Sequence, residues 1–178
     1  CLERGELYTE AIELYKDLKE DEKVGDLYLQ IQQENNAHQY YESCVNKKIG
    51  ADNLLDAARV VQEKMQHEER AKGILLQGWK GNYQHEPCLK KYFDIIMNKD
   101  QEQVEAAVNH IYKEHTSERK QLPLLHVLEY VNSKTGSEAV LHNNQEIAYE
   151  ILQQEAIKGN MQNLHSLKKF LPGNKLIA

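Results

Sequence analysis

The chain has 178 residues, 40% hydrophobic and 28% charged, with a formal net charge of −6. That composition excludes intrinsic disorder, and the negative balance counts against a nucleic-acid binder, which needs clustered Lys and Arg for phosphate contacts. Three prolines and nine glycines are few breaks for this length, which favours helix over an all-β fold.

The acidity is uneven. Residues 1–80 carry 16 acidic and 11 basic side chains, with the acids concentrated at Asp17, Glu20, Asp21, Glu22 and Asp26. No apolar run approaches the roughly 20 residues needed to cross a bilayer. Cys1, Cys44 and Cys88 are odd in number and lack paired spacing. They read as reduced thiols, and the expected location is cytoplasmic. The helical pattern is already under way at Cys1-Leu2-Glu3, so the chain is expected to be a segment of a larger multidomain protein.

In chain order, Leu7, Ala11, Ile12, Leu14, Tyr15 and Leu18 recur at helical spacing and predict a helix after Gly5. Asp21-Glu22 opens a second, faced by Val24, Leu27, Tyr28 and Ile31. Asn35-Asn36 is expected to cap a third, carrying Ala37, Tyr40, Tyr41, Cys44 and Val45 and ending near Gly50. Asp52-Asn53 caps a fourth, through Leu54, Ala58, Val61 and Met65, and a fifth runs through Ala71, Ile74 and Leu75 to Trp79. The links between these five are short, which forces antiparallel neighbours. Lys80-Gly81-Asn82 is the clearest break. Beyond it, Pro87 suits a helix start before Leu89, Tyr92, Phe93 and Ile96, and Asp100 opens a helix through Val104, Val108 and Ile111. Pro123 is expected in the first turn of a helix through Leu125, Leu128 and Val131, followed by a turn over Ser133-Lys134-Thr135-Gly136. Ala148, Ile151 and Leu152 mark another helix, and Leu164, Leu167 and Phe170 a last one.

One phrase recurs. Ala11-x-x-x-Tyr15-x-x-Leu18 returns as Ala37-x-x-x-Tyr41-x-x-Cys44, displaced by 26 residues. A small residue lets a neighbouring helix approach, and the aromatic residue one turn later fills the space beside it. With Gly5-x-x-Tyr8 before the first copy and Gly25-x-x-Tyr28 before the second, residues 5–45 resemble tetratricopeptide repeats and the looser clathrin- and coatomer-type α-solenoids. Weaker echoes follow at Ala57-x-x-x-Val61 and Ala71-x-x-x-Leu75. A 26-residue spacing departs from the family's period of about 34, and the turn proline between repeats is absent. The resemblance implies a right-handed α-solenoid of antiparallel helix pairs whose concave face holds proteins or peptides. The expected fold is therefore all-α, with nine or ten helices. A helical-repeat part at 1–79 is expected to continue into a stack of longer helices at 80–178.

Chemical motifs are sparse. His85-x-x-Cys88 has metal-ligand character but lacks a second pair at zinc-site spacing. His110 and His115 fall on different helix faces. HExxH, G-x-S-x-G and GxxxxGK[ST] patterns do not occur. The expectation is a protein without enzymatic activity, cofactor or metal, acting as a protein–protein interaction scaffold. Its partner is a protein or peptide with a basic segment, and neither nucleic acid nor membrane. A regulatory helical domain attached to an enzyme or ATPase is the alternative. The expected partner-binding residues are Glu20, Asp21 and Glu22, with Trp79 and Tyr83 as aromatic anchors.

Overall fold

A computed structural model of the chain describes residues 2–81, 85–98, 100–114 and 118–159, together with Leu167; side chains are described from Leu7 onward, except those of 85 and 118. The described residues form nine α-helices and no strand: α1 (Leu2–Asp17), α2 (Asp21–Gln30), α3 (Glu34–Gly50), α4 (Leu54–Glu63), α5 (Glu68–Lys80), α6 (His85–Met97), α7 (Gln101–Glu114), α8 (Glu118–Thr135) and α9 (Glu138–Ile157). The fold is all-α, and from α1 to α5 consecutive helices pack against each other in a solenoid-like arrangement. Two compact units divide between Gln84 and His85.

In the first unit, α1 packs on α2, α2 on α3, α3 on α4 and α4 on α5. The links are short and share one construction. Each contains a residue in the left-handed region: Lys19 (φ 58°), Gln32 (60°), Asp52 (55°) and Gln66 (54°). In the first three, the next amide reaches back to the last turn, with Glu20 N to Tyr15 O (3.0 Å), Gln33 N to Tyr28 O (2.8 Å) and Asn53 N to Lys48 O (2.9 Å). This is the Schellman closure, made here without glycine. Gly50 is the last residue of α3 rather than its stop.

These links reveal a period. Lys19 and Asp52 are 33 residues apart, and Gln32 and Gln66 are 34 apart. Buried slots obey the same spacing: Val45 follows Ile12 by 33, Ala57 follows Val24 by 33, and Ala71 follows Ala37 by 34, all of them buried. Link geometry and buried slots in the first unit thus recur at 33–34 residues, the length of one helix pair, whereas the sequence phrase recurs at 26. The two spacings differ by seven residues, two turns of helix. Such a shift keeps the apolar residues on nearly the same face, so α1 and α3 match out of register.

Three further expectations need correction. Asn35 and Asn36 lie inside α3, whose N-cap is Gln33, and Asn36 Nδ2 donates to Gln33 Oε1 (2.7 Å). The Schellman closure fixes the chain's direction at Gln33, so the helix starts at once. Pro123 is the sixth residue of α8, beyond its first turn. The helix continues because Leu124, Leu125, Val127, Leu128 and Val131 are fully buried, which outweighs the missing proline amide. Ser133 and Thr135 stay helical, their hydroxyls donating to Tyr130 O (2.7 Å) and Val131 O (3.0 Å). The turn proper is left-handed Gly136 (φ 63°), followed by Ser137, whose Oγ accepts from Val140 N. The expected last helix falls outside the described residues, apart from buried Leu167.

In the second unit, α6 packs on α7 and α8 on α9, while α6 also packs on α8 and α7 on α9. Two helical hairpins are thus laid side by side, like on like. Tyr130 donates to Asp94 (2.5 Å) between α8 and α6, and Asn143 Nδ2 donates to Asn109 Oδ1 (2.8 Å) between α9 and α7.

Candidate interaction surface

The acidic stretch opens α2, and its side chains divide between neighbours and solvent. Asp21 pairs with Lys47 of α3 (2.6 Å) and accepts from Ser43 Oγ (2.7 Å). Glu22 accepts two hydrogen bonds from the Arg59 guanidinium of α4, at 2.9 and 2.8 Å. Asp26 receives Lys64 Nζ on both oxygens (2.8 Å each) and the Tyr41 hydroxyl (2.6 Å). Glu20, by contrast, keeps about half of its side chain exposed, 3.8 Å from Lys23. Of the three acidic residues expected to bind a partner, two are joined to α3 and α4.

Further pairs extend this set. Arg70 of α5 grips both oxygens of Glu42 on α3, and Asp56 of α4 joins Lys48 and Arg59. The Arg70 hydrogen bonds hold the Glu42 carboxyl below the usual carboxylate range. Burial resists ionisation of Asp56, yet the hydrogen bonds from Lys48 and Arg59 outweigh it and lower its pKa. Glu22, then Asp56, raise the Arg59 pKa against the effect of burial. Helices two apart in sequence, α2 with α4 and α3 with α5, are therefore tied by charge as well as by the helices between them.

Trp79 is 5% exposed, within the core of the first unit, and Tyr83 lies outside the described residues. Cys44 and Cys88 are free and buried, and desolvation lifts the Cys88 thiol pKa to about 11. No group of three or more His, Cys, Asp or Glu that could hold a metal ion occurs among the described residues. No helix is long and apolar enough to cross a membrane among them.

The surface that sequence reasoning missed lies on α1. Ile12 is buried and Tyr15 half-buried against the rest of the unit, but Leu7, Leu14 and Leu18 are 65%, 58% and 60% exposed. Leu18, the last apolar residue of the recurring phrase, is thus on the exposed side. At about 100° per residue, Leu7, Ala11, Leu14 and Leu18 fall on one stripe, well around the helix from Ile12. Leu18 follows the last helical residue and keeps the helical bond, Leu18 N to Leu14 O (3.1 Å). The signal was in the sequence: this apolar arc is wider than one neighbouring helix can cover. Glu10 and Asp17, both exposed, run along one edge of the stripe, and the Tyr15 side bears the cation–π contact from Lys23 of α2 (5.0 Å).

No family model, curated protein or solved structure matches the chain.

Proposed function

We propose that this chain is a non-enzymatic, tetratricopeptide-like helical-repeat module, a right-handed α-solenoid that holds a protein or peptide partner within a larger multidomain protein. The observation that carries this reading is the 33–34-residue recurrence of link geometry and buried slots in the first unit, the period expected of helix-pair repeats of about 34 residues. Repeats of this kind contact chiefly their neighbours and present a continuous surface along the stack, an arrangement suited to binding chains rather than to enclosing a reaction. The acidic balance of residues 1–80 favours a partner with a basic segment over nucleic acid or an anionic membrane.

The test is binding with purified components. The full chain is used as bait under crosslinking, and each captured protein is then purified and titrated against it by calorimetry. Saturable binding of at least one partner at a fixed stoichiometry is expected. If no purified candidate binds saturably, the reading fails.

A further inference from the structure

We infer that the exposed face of α1 docks one amphipathic helix of a partner protein, with an apolar stripe bordered by Lys or Arg. This inference rests on the interaction-module reading and gives it a place and a partner chemistry. Leu7, Leu14 and Leu18 are each more than half exposed, and with Ala11 they make a stripe of about three helical turns, or about 17 Å. A row of leucines around a small residue is what a facing helix interdigitates with. α1 therefore has two packing faces. The Ile12 and Tyr15 side meets the rest of the first unit, and the leucine side faces solvent.

Charge selects the occupant. Exposed Glu10 and Asp17 lie seven residues apart along one edge of the stripe, with exposed Glu13 beyond them. Lys16 pairs with Glu13 (2.8 Å) while lying over the rings of Tyr28 and Tyr40 (5.7 and 6.0 Å), so the charge that selects a partner on this edge is that of Glu10 and Asp17. A helix laid along the leucines thus meets carboxylates on one flank, and basic residues there complete ion pairs that guide orientation and speed encounter. A second copy of this chain fits poorly. Antiparallel pairing of two α1 helices sets the Glu10–Asp17 edges against each other, and parallel pairing turns each acidic edge toward the side where α2 packs.

The probe is a synthetic three-heptad helical peptide with a leucine seam and lysine flanks, compared with the same peptide carrying glutamate flanks. Binding to the full 178-residue chain is measured by fluorescence anisotropy over a series of NaCl concentrations. The lysine peptide is expected to bind at least about tenfold more tightly than the glutamate peptide, with affinity that falls as salt rises. Leu14→Gln with Leu18→Gln should abolish binding while leaving the melting curve unchanged, because both side chains are exposed. Glu10→Gln with Asp17→Asn should weaken binding several-fold and flatten its salt dependence. Equal binding of both peptides, or lysine-peptide binding that survives the leucine changes, overturns the inference. So does a concentration-dependent dimer in sedimentation that the leucine changes abolish, since that assigns the face to a second copy. A purified natural partner that still binds the Leu14→Gln, Leu18→Gln chain would remove this site and leave the interaction-module reading standing.

Discussion

Gly25 shows how narrowly one position can be specified. It is buried on α2, and a β-carbon placed there would sit 2.5 and 2.8 Å from two ring atoms of Tyr41. That ring cannot retreat easily, because Tyr41 is 1% exposed and its hydroxyl is held by Asp26 at 2.6 Å. Burial, then the hydrogen bond to Asp26, raise the phenol pKa well above its ordinary value. Gly25→Ala gains about 1 kcal/mol of helix propensity but overpacks the α2–α3 seam at a cost of about 1–3 kcal/mol. A net loss of stability is expected, read as a lower melting temperature. Adding Tyr41→Phe to Gly25→Ala should not restore it, since the clash is with ring carbons. A Gly25→Ala chain that melts at or above the parent temperature would show that the seam yields.

At the scale of the helix, the small residues of α3 and α5 are more informative than the phrase that first suggested a repeat. Ala37 and Ala71 are completely buried, whereas Ala11 is only partly buried within the leucine stripe of α1. Ala37→Leu and Ala71→Leu should each destabilise the first unit by about 1–3 kcal/mol, while Ala11→Leu should be close to neutral in thermal melts. The ion pairs between helices add a pH dependence of defined sign. Glu42 and Asp56 have folded pKa values below their ordinary values of 4.5 and 3.8. Their stabilising contribution is therefore present above those values and is lost as pH falls through the lowered folded ones. Acid titration should weaken the first unit below about pH 4.5, and Glu42→Gln should flatten that slope in urea melts taken from pH 7 to pH 3. Each pair is partly exposed, so its contribution is about 1 kcal/mol or less. Helix positions were largely legible in the sequence because apolar residues recur at helical spacing and Asn53 is a true cap, accepting from Asp56 N. The links were harder to read, since Lys19, Gln32 and Asp52 occupy left-handed positions where glycine is the usual signal. The acidic cluster was visible as residues, but its partner Arg59 lies 37 positions beyond Glu22, and local pattern cannot supply that pairing.

Two units, each with its own buried cluster, make up the whole chain: Val24, Tyr41, Val45, Val61 and Leu75 in the first, and Leu89, Phe93, Leu125, Leu128 and Ile147 in the second. The chain has one tryptophan, and Trp79 is buried in the first unit. Its fluorescence therefore reports unfolding of residues 1–84, while far-UV circular dichroism reports helices of both units. If the units are separate cooperative bodies, a destabilising change in one should leave the transition of the other in place. Ala71→Leu should shift the urea midpoint seen by Trp79 fluorescence. Leu125→Ala removes a fully buried side chain of the second unit at a cost of about 2–5 kcal/mol. It should move part of the dichroism transition and leave the fluorescence midpoint where it was. A fluorescence midpoint that falls with Leu125→Ala by as much as the dichroism midpoint would show that both units unfold as one. Independent transitions would allow the first unit, which carries the α1 face and the 33–34-residue recurrence, to be studied for binding on its own.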